Sequence, residues 1–207
     1  MKALVNTSDK LVVQQVKEWG EIIVNWETVN RYRILDAQEN EVGFVAERYQ
    51  GFLTTIGRQV LRSHRPFKVD IFNATRQVVV HLSRSFFFFF SDMLVATPQG
   101  ITIGNIRRRF AIFSKKYDLC DDRGVVFATV KSPIWRIWKF PILDIHGNER
   151  GSISKKWGGI LKEVFTDADQ FFVDYGQQPW TDNQRTVILA TAISIDFDFF
   201  EDNTRRN

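Results

Sequence analysis

Few residue constellations in this chain could do covalent chemistry. Ser152-Ile153-Ser154-Lys155 satisfies a Ser-x-x-Lys pattern, in which a lysine amine can take the proton of a serine hydroxyl, but the companion motifs of that chemistry are missing. His64, His81 and His146 lie far apart in the sequence, within strand or turn patterns, so structural or solvated roles fit them better than a metal site. There is no Gly-x-Ser-x-Gly elbow, no His-Glu-x-x-His, no phosphate-binding loop and no dinucleotide fingerprint. The pattern gives no reason to expect an enzyme.

The chain does offer groups suited to surfaces and ions. Phe86, Phe87, Phe88, Phe89 and Phe90 form an unbroken run between Ser85 and Ser91. Such a run puts aromatic rings on both faces of a strand or around a loop, as a doubly buried strand or as an apolar tip that enters a membrane or a partner. In Ile134 to Phe140, Trp135 and Trp138 alternate with Arg136 and Lys139. Tryptophan favours bilayer interfaces, where cations meet phosphate, although a strand with Trp inside and Arg outside is equally consistent. Arg107-Arg108-Arg109 and Lys155-Lys156 are cationic clusters that suit a solvated edge, a lipid headgroup or nucleic acid, and on a strand Arg107 and Arg109 share a face. Asp167, Asp169 and Asp174 have a spacing that could recruit Ca²⁺, but the fifth, sixth and twelfth places of an EF-hand loop are taken by Phe171, Phe172 and Gln178.

The elements that must carry these groups read mostly as antiparallel strands. Tyr32 to Asp36 leads through a polar turn into Val42 to Ala46, and Phe67 to Phe72 into Val78 to Leu82. Phe110 to Lys115 leads to a turn at Asp121 to Gly124 and on into Val125 to Val130, and Trp138 to Ile145 turns at His146 to Asn148 into Gly151 to Ser154. Near period-two alternation broken by Asn, Asp and Gly is the mark of hairpins, and their irregular spacing suits a meander or barrel rather than a propeller. Phe52 to Ser63 reads as a short amphipathic helix ending before Pro66. Thr186 to Phe200 is ambiguous: Val187 to Ile193 is apolar all round, like a fully buried helix, whereas Ile193 to Phe199 alternates like a strand.

Bulk properties bound the rest. At 207 residues the chain supports one sizeable core, and we expect a single domain over 1–207. The net charge of +4 is mild, and the 19 Phe against 4 Tyr make the aromatic mass almost wholly apolar. A single cysteine, Cys120, excludes an intramolecular disulfide and a cysteine-based zinc site, and fits a reducing compartment. The first residues lack the apolar core of a signal peptide, and no stretch reaches the about 18 to 20 apolar residues that span a bilayer as a helix.

The block Gly151-Ser152-Ile153-Ser154-Lys155-Lys156-Trp157-Gly158-Gly159-Ile160-Leu161-Lys162-Glu163-Val164-Phe165-Thr166-Asp167-Ala168-Asp169-Gln170-Phe171 resembles the signature of the phospholipid scramblase family. Val187 to Ile195 followed by Asp196 to Glu201 resembles the family's C-terminal segment, and Arg65-Pro66-Phe67 and Ile103 to Ile106 fall in the expected order. The resemblance covers roughly residues 20–203. It implies a tubby-like fold, a closed antiparallel β-barrel of about 12 strands around a buried C-terminal apolar helix, in which Val187, Ile188, Leu189, Ala192 and Ile193 would be core. It further implies a cytoplasmic protein, peripheral to an anionic phospholipid membrane, that binds lipid and could assist its movement between leaflets. On that reading Phe86 to Phe90, Trp135 and Trp138 contact the membrane, Arg107, Arg109, Lys155 and Lys156 hold headgroups, and Asp167, Asp169 and Asp174 are the Ca²⁺ candidates. Where animal members carry a palmitoylated cysteine cluster this chain has Ser85 and the phenylalanines, which would supply a lipid-free anchor. The rival expectation is a soluble tubby-like module for a protein or, less favoured, a nucleic-acid partner.

Overall fold

A computed structural model of the chain describes residues 2–16, 28–48, 66–85, 91–109, 114–133, 135, 138–156 and 170–199. Twelve strands run in order: β1 Lys10–Gln15, β2 Thr28–Leu35, β3 Glu41–Arg48, β4 Phe67–Asn73, β5 Val78–Arg84, β6 Ser91–Ala96, β7 Thr102–Arg109, β8 Ser114–Cys120, β9 Val126–Pro133, β10 Lys139–Asp144, β11 Glu149–Lys156 and β12 Gln170–Asp174. Each pairs antiparallel with its sequence neighbour, and β1 pairs with β12, so the sheet closes and no strand edge is left to solvent. The four hairpins expected from alternation are β2–β3, β4–β5, β8–β9 and β10–β11, although β8 starts at Ser114 and Phe110 to Phe113 lie outside the described residues. The segment read as a helix at Phe52 to Ser63 also lies outside them.

The interior of a twelve-stranded barrel is wider than its own side chains can fill. An α-helix, about 10 to 12 Å across with its side chains, fills it here: α2 (Asp182–Phe199) runs up the axis, while α1 (Lys2–Val5) closes one end with Leu4 and Val5. Val187, Ile188, Leu189, Ala192 and Ile193 are core residues, as the resemblance implied. Each of the Val, Ile and Leu side chains among them contributes roughly 1.5 to 3 kcal/mol through its removal from water. The helix starts at a capping box: Gln184 N–H donates to Thr181 Oγ1 (3.3 Å) while Thr181 N–H donates to Gln184 Oε1 (2.9 Å). It leans most on β7, where Gly104 permits the approach, since a Cβ there would lie 2.7 Å from Val187 Cγ2 and 2.4 Å from the Cys120 carbonyl oxygen.

Strand order separates the connections into two classes, one at each end of the barrel. At the end that α1 closes, the turn end, five hairpins repeat one design, begun by Asp36, Asn73, Thr97, Asp121 and Asp144. In each, the first residue's N–H donates to the carbonyl four positions on and its carbonyl accepts from the third, while its side-chain oxygen accepts a further backbone N–H. The fourth residue takes a positive φ, as a type I turn with a bulge requires: Glu39, Arg76, Gly100, Gly124 and Gly147. The Asp144 carboxyl is held well below the usual range; burial pushes it up, but donors from Arg150 and Asn148 outweigh that. At the opposite end, the loop end, lie the termini of the strands that flank 16–27, 49–66, 85–90, 110–113, 134–138 and 157–169.

Candidate functional site

Of the groups singled out from the sequence, the described residues place Arg107, Arg109, Trp135, Trp138, Lys155 and Lys156 at the loop end. Alternation along the strands decides which face each takes. Inward there, from the last residues of the barrel wall, come Tyr32, Arg84, Arg108, Lys115, Tyr117 and Lys155, all facing the C-terminal turn of α2. That turn carries Asp196 and Asp198, both buried. Acidic side chains at a helix C-terminus oppose the macrodipole, and buried charges need partners, so the wall must supply cations. Arg84 Nη1 donates to Asp198 Oδ1 at 2.5 Å, Tyr117 Oη donates to Asp198 Oδ2 at 2.7 Å, and Arg108 Nη1 stands 3.8 Å from Oδ2. Asp196 accepts from Tyr32 Oη and has Lys155 Nζ 3.5 Å away.

Aromatic rings line the same cations. The Arg84 guanidinium lies 4.3 Å over Phe67, which stacks at 4.6 Å on Phe197 of the helix; Lys155 lies over Phe171 and Lys115 over Phe140. Burial, then the neighbouring Arg108 charge, lowers the Lys115 amine to about 8, against the pull of Asp198. Burial likewise pushes the Tyr117 phenol well up, so it remains a donor at neutral pH. The cluster therefore seals the loop end around a charged helix terminus, where the turn end is sealed by α1's leucine and valine.

The outward groups differ. Trp135 (70% exposed) and Trp138 (47%) stand in solvent between β9 and β10, at the same end. Arg107 and Arg109 share the outer face of β7: Arg107 sits between Asp92 and Asp118 on the adjacent strands, and Arg109 Nε donates to Asp118 Oδ2 at 2.7 Å. Lys155 is inside the barrel, 3% exposed and engaged with Asp196, because its place on β11 falls in register with core Ile153; that face is not one a surface headgroup reaches. Lys156 ends β11 opposite Gln170. Phe86 to Phe90, Asp167 and Asp169 lie outside the described residues. Asp174 is at the turn end, about 13 Å along β12 from Gln170, where it pairs with Lys10 at 3.4 Å and accepts the Gly176 N–H at 2.9 Å. Among the described residues no group of three or more His, Cys, Asp and Glu could hold a metal ion, and no helix is long and apolar enough to cross a membrane.

Sequence reasoning missed the ion pairs of Asp196 and Asp198. The signal was present, as two carboxylates in an otherwise apolar segment, but it looked like strand alternation. A carboxylate–imidazole pair also emerges on the outer wall: His81 Nδ1 lies 2.6 Å from Asp70, which Arg48 Nε also contacts at 2.5 Å.

The sequence model of a family described as "Scramblase" matches residues 1–202. The chain belongs to the scramblase family. Among its curated relatives, "Altered inheritance rate of mitochondria protein 25" of Saccharomyces cerevisiae is 27% identical over 95% of this chain and 72% of its own length. A "Phospholipid scramblase family protein" of Schizosaccharomyces pombe is 23% identical over 94% of this chain and 60% of its own. Human "Phospholipid scramblase 1" is 25% identical over 93% and 63%. The chain thus spans 60 to 72% of these relatives' lengths. No solved structure matches the chain.

Proposed function

We propose that this scramblase-family chain is a non-enzymatic, peripheral phospholipid-binding protein that meets the cytoplasmic face of a membrane with its loop end. The exposure of Trp135 and Trp138 at that end carries the reading. An indole in water is suited to the headgroup level of a bilayer, where its ring is buried and its N–H stays wet. The Phe86 to Phe90 run belongs to the β5–β6 connection, whose flanking strand ends lie at the same end, and five apolar rings add to the same insertion. Arg107 and Arg109 are the headgroup ligands of this reading. Lys155 contributes by holding the helix terminus.

Movement of a lipid between leaflets is a separate matter. A polar headgroup must cross about 30 Å of hydrocarbon, and the axis of this barrel is filled by α2 and its core contacts. The proposed activity is therefore lipid association, with any transport following a route outside the barrel interior.

Flotation of the purified protein with neutral and anionic vesicles, with and without Ca²⁺, tests this. Binding that persists in high salt and falls in Trp135→Ala and in Phe87→Ser/Phe89→Ser, both still folded, is expected. Absence of binding to any vesicle sinks the reading. A Ca²⁺ requirement would bring Asp167 and Asp169 into the site.

A further inference from the structure

On the outer face of β7–β9, Arg109 stands directly opposite Lys116, and Lys116 directly opposite Lys131. The alternate positions, Tyr117 and Val130, are core, so these three cations share the outer surface, with Lys131 exposed. They cover two strand spacings, about 10 Å. Like charges directly opposite each other destabilise an antiparallel pair. The neighbouring row shows the ordinary solution, with Arg107 set between Asp92 and Asp118. Along the cation row, Asp118 is the one carboxylate in contact among the described residues, 2.7 Å from Arg109 and 3.6 Å from Lys116, and Lys131 makes no ion pair with them.

The sequence around the row matters as much. Its flanking connections are Phe110-Ala111-Ile112-Phe113 and Ile134-Trp135-Arg136-Ile137-Trp138, which hold no acidic residue and are mostly apolar. Trp135 in the second is the most exposed tryptophan among the described residues. Cations repelling one another beside apolar connections are complementary to a plane that is anionic at its surface and apolar beneath it.

We propose that Arg109, Lys116 and Lys131 form the headgroup-facing collar of the membrane dock, laying the β7–β9 side of the loop end against anionic phospholipid. This rests on the phospholipid-binding reading and narrows it to one side of the barrel, adding Lys116 and Lys131 to the contact. Single-stranded nucleic acid wants cations interleaved with stacking aromatics along the whole site; Trp135-Arg136-Ile137-Trp138 has that pattern, but Phe110 to Phe113 carries no cation, and a bilayer accommodates both connections.

The test is cosedimentation with phosphatidylcholine vesicles, with and without phosphatidylserine, of wild type, Lys116→Glu/Lys131→Glu, Lys131→Glu and Arg123→Glu. Arg123 changes the same charge in a turn at the far end, more than a Debye length of about 8 Å away. The double reversal should weaken binding to the phosphatidylserine vesicles by about 30-fold or more, at about 1 kcal/mol per charge. Arg123→Glu should leave it unchanged. Lys131→Glu sets an acid opposite Lys116, so its melting temperature should hold or rise while its binding falls; a merely structural role predicts the two falling together. If the double reversal fails to fold, Lys116→Gln/Lys131→Gln replaces it, with a smaller loss expected. Wild-type binding with no effect of either pair overturns the collar and leaves the phospholipid reading standing. Wild type that ignores all vesicles overturns both, and RNA binding lost in the double variant would then assign the row to nucleic acid.

Discussion

At the turn end, one five-residue hydrogen-bond pattern is used in five connections, and α1 closes the opening with Leu4 and Val5. At the loop end, the wall turns four cations and two phenols inward onto two carboxylates of α2, and tryptophans stand in water outside. The turn end keeps most local rules, with acceptor side chains at the first turn position and, in three of five hairpins, glycine where φ is positive; Glu39 and Arg76 take that φ without it, and Ile101, Val125 and Ile145 stand exposed there. The loop end breaks several: acids at a helix C-terminus, buried cations, like charges across strands, exposed indoles. Local rules broken together at one end are the ground for proposing the functional site there.

The largest effect should come from Asp198→Ala, which takes from Arg84 and Tyr117 the carboxylate they share. Breaking a buried pair from one side costs about 3 to 5 kcal/mol, so the urea midpoint should fall sharply. A small change would show that the loop-end cluster does not hold the helix. At the turn end the expected sign is opposite. Glu39 has φ 63, where a side chain is strained and glycine is not, so Glu39→Gly should stabilise the fold by about 0.5 to 1 kcal/mol. Arg76→Gly should go the same way, and destabilisation by both would mean the turns do not share one design. The smallest effect concerns Lys115. Its folded-state pKa of about 8 lies below its ordinary value of 10.5. The unfolded chain therefore binds more protons between these values, and stability should rise with pH across that window. In Lys115→Gln that rise should flatten, with the variant's relative gain greatest below pH 8, as read from urea midpoints against pH. An unchanged slope would place the wild-type rise elsewhere.

The hairpins were legible because their signals are local. Period-two alternation in Phe67 to Phe72 and Val78 to Leu82, and the Asp-x-x-Gly turns at Asp121 and Asp144, need no information from the rest of the chain. The start of α2 carries a local signal as well, the Thr181-x-x-Gln184 capping box, which lies outside the apolar segment that was read. The stretch Ile193 to Phe199 was not legible, because Ser194, Asp196 and Asp198 repeat at every second residue, the period of a strand, and only their buried partners in the barrel wall let carboxylates lie on an inward-facing helix. Lys155 illustrates the same limit. Beside Lys156 it reads as a basic surface cluster, and only the barrel register turns one of two adjacent lysines inward.

The sequence determined four of the hairpins, their turns, the absence of familiar catalytic motifs and, through the block from Gly151 to Phe171, the family. These depend on residues near one another in the chain. The tertiary structure alone decided that α2 lies along the barrel axis, that Asp198 meets Arg84 and Tyr117, and that Arg109, Lys116 and Lys131 stand side by side. Those contacts join residues from different strands, and closing the sheet is what fixes their register. Composition gave a net charge of +4 with no address; the barrel placed some of that charge inside to hold a helix and some outside, in a row, where an anionic surface can meet it.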